Sequence, residues 1–152
     1  MWPETREKVY LELDLLEHLA DSHETLLVKV RRIEPDSIEL SALSAFLHAF
    51  YTGIENIFKR IALEIDKSLP AGERWHADLL SQMARPFAER PAVISGELCI
   101  QLGKYMEFRR VFRHAYTFEL KWAKMADLVL HSGQVLEELQ AELKSLFEPE
   151  TR

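Results

Sequence analysis

The chain carries a single cysteine, Cys99, in 152 residues. That excludes an internal disulfide and any zinc site built on cysteine. Its 5 glycines and 6 prolines are too few for a loop-rich or many-turned β fold. No apolar run approaches the roughly 20 residues that a membrane-spanning helix needs. The opening Met1-Trp2-Pro3-Glu4-Thr5-Arg6-Glu7-Lys8 lacks the basic-then-apolar layout of a secretory signal. A cytoplasmic protein without membrane contact is the expectation. There is also no internal repeat, no low-complexity tract and no glycine-rich loop of the kind that cradles phosphate. What is present is 47% hydrophobic and 29% charged residues, enough for a packed core and against global disorder. The length fits one domain, read as residues 1–147, with 148–152 as a frayed tail. A net charge of −6 opposes nucleic-acid binding by the surface as a whole, and leaves a local patch open.

The apolar spacing is helical almost throughout. Pro3 suits a first helical turn, with Glu4 and Glu7 at its positive end. That helix is predicted from Pro3 to Arg32, with a break near Asp21-Ser22-His23. Val9 to Leu15 alternates like a strand, but its flanks are rich in Glu, Lys, Leu and Ala, and no turn signal bounds it. Asp36 or Ser37 can cap a second helix. On it Leu43, Phe46, Leu47, Phe50, Ile54, Ile57, Phe58, Ile61 and Ile65 recur every three or four residues, the pattern of a helix buried in a bundle. Its aromatics Phe46, Phe50, Tyr51 and Phe58 read as core, with part of them available to a dimer interface. Glu55 and Lys59 fall one turn apart on another face, and Pro70-Ala71-Gly72 ends the helix. A shorter helix is predicted over Trp75–Met83, stopped by Pro86 and Pro91. Ser95 caps the next, and the last runs from about Thr117 to Leu146. The whole reads as an all-α, antiparallel bundle of four to five helices, of the sort that often completes its burial by dimerising.

Charge is unevenly spread. Between Lys104 and Lys124 six basic residues face only Glu107 and Glu119, a segment of +4, so the remainder is −6 − 4 = −10. A solvated helix face accounts for such a stretch; so does a phosphate-bearing partner. Inside it lies Arg109-Arg110-Val111-Phe112-Arg113-His114-Ala115-Tyr116. Arginine grips phosphate through paired hydrogen bonds, histidine moves protons near neutrality, and tyrosine adds a hydroxyl and a stacking surface. These groups suffice in principle to cleave an RNA phosphodiester without a metal. An unbroken helix would point Arg109 and His114 about 140° apart, whereas Arg110 and His114 would share a face. Convergence of Arg109 with His114 needs a helix end between them, or a second subunit. Thr117, with Glu119 following, favours such a break.

Arg109-x4-His114-x-Tyr116 resembles the R-x4-H-x-Y signature of HEPN domains, in particular the HepT family of toxin ribonucleases. Phe50-Tyr51-Thr52-Gly53-Ile54-Glu55-Asn56-Ile57-Phe58 is similar to that family's second helix, and the likeness extends from about Ser41 to Leu143. The resemblance implies a homodimer with the Arg and His of both subunits in one cleft. It further implies a metal-independent endoribonuclease acting on RNA, tRNA included, without a cofactor. Its partner would be a minimal nucleotidyltransferase antitoxin that adds AMP to Tyr116. On this expectation Arg109 and His114 are catalytic, Tyr116 positions substrate, and Arg110, Arg113 and Lys121 hold RNA. Many family members have a polar residue, often Asn, where this chain has Arg110. Some members act only as companions of nucleotidyltransferases, so a non-catalytic helical module modified by that partner is the alternative.

The other five histidines read as structural or exposed. A carboxylate-bridged metal bundle needs two Glu-x-x-His pairs on facing helices, and the chain offers one, Glu73-Arg74-Trp75-His76. His18 and His23 do not share a helix face. No metal site is therefore expected, and Cys99 reads as a buried, inert thiol.

Overall fold

The computed structural model describes residues 1–149; the last three residues of the tail expected to fray lie outside the described residues. Six helices follow one another: α1 (Pro3–Ser22), α2 (Glu24–Lys29), α3 (Ser37–Ile61), α4 (Trp75–Met83), α5 (Gly96–Phe112) and α6 (Trp122–Phe147). Among these residues there is no strand, only an isolated bridge between Phe87 and Arg90. The bundle is all-α, as the periodicity requires, and the Val9–Leu15 stretch is helical. The break expected in the first helix separates α1 from α2 at His23, whose Nδ1 lies 2.9 Å from the carbonyl of Leu19.

Helix α3 occupies the centre, in contact with α1, α4, α5 and α6. Its start is fixed by a reciprocal cap: the Asp36 carboxylate accepts from the Glu39 backbone N–H at 2.8 Å, and Glu39 accepts from the Asp36 N–H at 3.1 Å. Such a cap answers two backbone donors that the first turn leaves open. The whole apolar stripe of α3 from Leu43 to Ile61 is buried, and its aromatics Phe46, Phe50, Tyr51 and Phe58 are core. Burial of each such side chain contributes about 1.5–3 kcal/mol, so this one helix outweighs any polar contact on the surface. Gly53 gives α1 room: a Cβ there would lie 2.5 Å from Leu16 Cδ2.

Two boundaries differ from the sequence expectation. The second helix was expected to run to Pro70, but α3 ends at Ile61 and continues as a π turn over Ala62–Asp66 that Lys67 closes at φ 56°. The wider turn brings Asp66 inward, where Arg90 meets it through two hydrogen bonds, Nε–Oδ1 at 2.5 Å and NH2–Oδ2 at 2.7 Å. Gln82 donates to the same carboxylate at 2.7 Å. Both charges are fully buried and fully paired, the condition for tolerating them there. The pair fastens the α4–α5 connection over the end of α3. The last helix was expected from Thr117, yet α6 begins at Trp122; Thr117–Glu119 forms a separate 3₁₀ turn, tied to α3 by Thr117 Oγ1 and Ser41 Oγ at 2.8 Å. An extended Leu120, buried in the core, separates the two. At the far end Tyr10 donates to Glu148 at 2.6 Å, so the chain is held through that residue. Among the described residues no helix is long and apolar enough to cross a membrane.

Candidate functional site at the ends of α4 and α5

Helix α5 is launched by Ser95, whose hydroxyl accepts from the Leu98 N–H at 3.1 Å. Its stripe Leu98, Leu102, Tyr105 and Phe108 is buried against the bundle, and this fixes which way the following residues project. Arg109 comes directly after the last buried position and is half-covered, while Arg110 and Arg113 are exposed. The helix stops at Phe112, after Arg109 and before His114, with Arg113 as its cap. The break that the sequence called for is thus present, but Thr117 does not make it. Tyr116 is extended and its backbone N–H donates to Glu119 Oε1 at 3.0 Å.

Arg109, Arg110 and Arg113 line one groove of about 490 Å³ with the start of α4, including Arg74 and His76. Glu73 and Glu107 stand at the same walls, and Glu107 is paired with Arg110. Arg110 therefore accompanies Arg109 in the groove. His114 and Tyr116 are exposed on the segment that leaves α5 and are not among the groove's walls in one chain. Tyr116 stacks on Phe118, ring centroids 5.4 Å apart and nearly parallel at 5°, and both rings stand largely in solvent. Lys121 is exposed at the cap of α6, away from these walls.

A carboxylate that the sequence pattern set with Lys59 on another face of α3 is instead buried beneath the groove. Glu55 of α3 is 3% exposed and uses its two oxygens on two groove residues: Oε2 meets His76 Nδ1 at 2.6 Å, and Oε1 meets Arg109 NH1 at 3.4 Å. Its expected neighbour Lys59 instead lies over the Trp75 ring, 4.5 Å from the centroid, and Trp75 stacks on His76 at 3.6 Å. Glu55 follows Tyr51 by four residues and precedes Phe58 by three, so it belongs to a buried stripe; an acid on such a stripe is the signal that marks it. Close by, the Tyr51 hydroxyl is buried with no hydrogen-bond partner among the described residues, and burial, with Glu55 adding, pushes its pKa well up. Behind Arg109, His48 packs on Phe108 with centroids 5.5 Å apart. Burial holds its imidazole below the usual pKa; a backbone hydrogen bond at Phe112 opposes this, and the charges of Arg109 and Arg113 add to it.

Among the described residues no three His, Cys, Asp or Glu side chains are grouped to hold a metal ion. Cys99 is half-buried and burial raises its thiol pKa, which makes it a poor nucleophile.

Fold and groove define a helical bundle with a guanidinium-rich recess at one helix end. Over residues 42–149 the chain matches the sequence model of a family described as HepT-like protein, and it belongs to that family, a HEPN-type group. Comparison with curated proteins and with solved structures gives no match.

Proposed function

We propose that this chain is the metal-independent, RNA-cleaving toxin of a HEPN/minimal-nucleotidyltransferase pair, acting in the cytoplasm as a homodimer. The observation that carries the reading is the placement of Arg109, Arg110 and Arg113 in one groove, directly before the exposed His114 and Tyr116. Three fixed positive charges suit a polyanion. In this reading Arg109 holds the scissile phosphate and offsets charge on its oxygens. His114 of either copy moves the proton of the ribose 2′-hydroxyl or of the leaving oxygen. Arg110, Arg113 and Lys121 steer the strand, and Tyr116 positions it. AMP added to Tyr116 would bring a phosphate charge and a bulky nucleotide to the site and so block RNA.

The test is RNA cleavage by purified protein with EDTA present. Wild type is expected to leave 2′,3′-cyclic phosphate ends, and His114→Ala to lose on the order of 10²-fold or more in rate. Undiminished cleavage by His114→Ala overturns the assignment. One observation favours the second reading, a non-catalytic module: His114 is not among the walls of the arginine groove in one chain, while Tyr116 is 69% exposed. A wild-type protein that cuts no RNA, yet co-purifies with a small nucleotidyltransferase and gains AMP on Tyr116, would select it.

A further inference from the structure

We propose that His76 is a further phosphate-contacting residue of the α4–α5 groove and that the buried Glu55 is its positioning residue. The inference rests on the groove being the RNA site. His76 comes from α4, outside the motif, and lines the same groove as Arg109. Its ring is fixed twice, by Trp75 stacked at 3.6 Å and by Glu55 at Nδ1 at 2.6 Å. Among the described residues its other ring nitrogen, Nε2, has no hydrogen-bond partner, and the side chain keeps 33% of its exposure. An imidazole set between a carboxylate and a phosphate donates from both nitrogens in its charged form. The same carboxylate reaches Arg109 at 3.4 Å, so one buried group sets the spacing of two phosphate donors carried by different helices. That is the arrangement by which supporting contacts hold a binding constellation to a fixed geometry.

The fitting ligand is the phosphodiester of a single RNA strand. A phosphate contact made by a charged imidazole strengthens as pH falls from 8 to 6. The other charges that meet His76 or its groove are Glu73 and Arg74 before α4, Glu55 and Lys59 of α3, and Glu107 and the three arginines of α5. His48, behind Arg109, and His114, just after α5, are the other histidines near the groove; both are kept in wild type and in His76→Gln, so the difference between the two reports His76.

The probe is a 2′-O-methyl decaribonucleotide, which cannot be cleaved and whose phosphodiesters do not titrate near neutrality. Affinity is read by fluorescence anisotropy at both pH values. Wild type is expected to bind more tightly at pH 6. His76→Gln should weaken binding at pH 6 by about tenfold, the loss of one charge-assisted hydrogen bond, and flatten the pH dependence. Glu55→Gln should flatten it as well, with His76 still present. His76→Gln binding with the wild-type affinity and pH ratio overturns the proposal, as does a wild type that ignores the probe. Because His76 is partly exposed, its variant decides the matter even if Glu55→Gln fails to fold. If His76→Gln binds normally while His114→Ala cannot cut RNA, this inference falls and the nuclease reading stands. If His76→Gln binds weakly while His114→Ala cuts normally, the reverse holds.

Discussion

His48 shows how a residue behind the groove couples its charge to the fold. Burial, with Arg109 and Arg113 adding, holds its folded pKa below the ordinary value of about 6.5. Between the two values the unfolded chain binds more protons than the folded one, so stability rises with pH there and is lost as pH falls through about 6.5. Denaturation midpoints should therefore drop from pH 8 to pH 5.5, and the drop should be smaller in His48→Gln. An equal drop in the variant would assign it elsewhere. The carboxylates Glu39 and Glu64 are held low, Glu39 by the hydrogen bond from Lys29 and Glu64, against some desolvation, by those from Arg60, Thr5 and Lys8; their contribution is lost as pH falls through the ordinary carboxylate range and below, so the two effects separate on the pH axis. At this scale the sequence was legible where chemistry sits on an exposed, charged stretch, as with Arg109 and Arg113. It was less so for Glu55 and His76. Glu55 looked like the partner of Lys59 because both fall one turn apart, and nothing local says that α4 will bring an imidazole to it. His76 looked like half of an absent metal motif, and its real partner lies 21 residues away.

Elements were most legible where local signals agreed with packing. Trp75–Met83 is bounded as the sequence indicates, and Ser95 caps α5. The misread ends are those that tertiary contacts decide. The π turn at Ala62–Asp66 exists because Asp66 has a buried arginine to meet, and that arginine lies in the irregular link between α4 and α5, where periodicity says nothing. The start of α6 moved to Trp122 because Leu120 enters the core in extended form and Thr117 is engaged with Ser41. The buried pair sets a measurable expectation. Arg90→Ala leaves Asp66 charged and unpaired inside the protein, and should cost about 3–5 kcal/mol in a urea unfolding experiment. A loss under 1 kcal/mol would mean that water reaches Asp66 readily.

For the whole molecule, charge and apolar surface are both segregated. The +4 segment stands against a remainder of −10, and Val111, Tyr116 and Phe118 leave a cluster of apolar side chains exposed along and after the end of α5. Pairing of two chains through this end would place two arginine-lined grooves side by side and cover Val111 and Phe118, with Tyr116 at the rim and still open to RNA. Light scattering should then give twice the 17.7 kDa of one chain, and Phe118→Glu should shift the population towards single chains. A wild type that stays single at high micromolar concentration would exclude the pairing.

The Asp66–Arg90 lock has one last consequence. It clamps the link from α4 to α5 beneath a lid of its own backbone carbonyls, those of Gln82, Arg85 and Pro91 all accepting from the same guanidinium. The lock thus anchors the ends of α4 and α5 remote from the recess, since moving it would strand a buried charge. His114 and Tyr116 ride instead on the segment between α5 and α6, which the buried Leu120 and the 2.8 Å hydroxyl contact between Thr117 and Ser41 tie to the bundle.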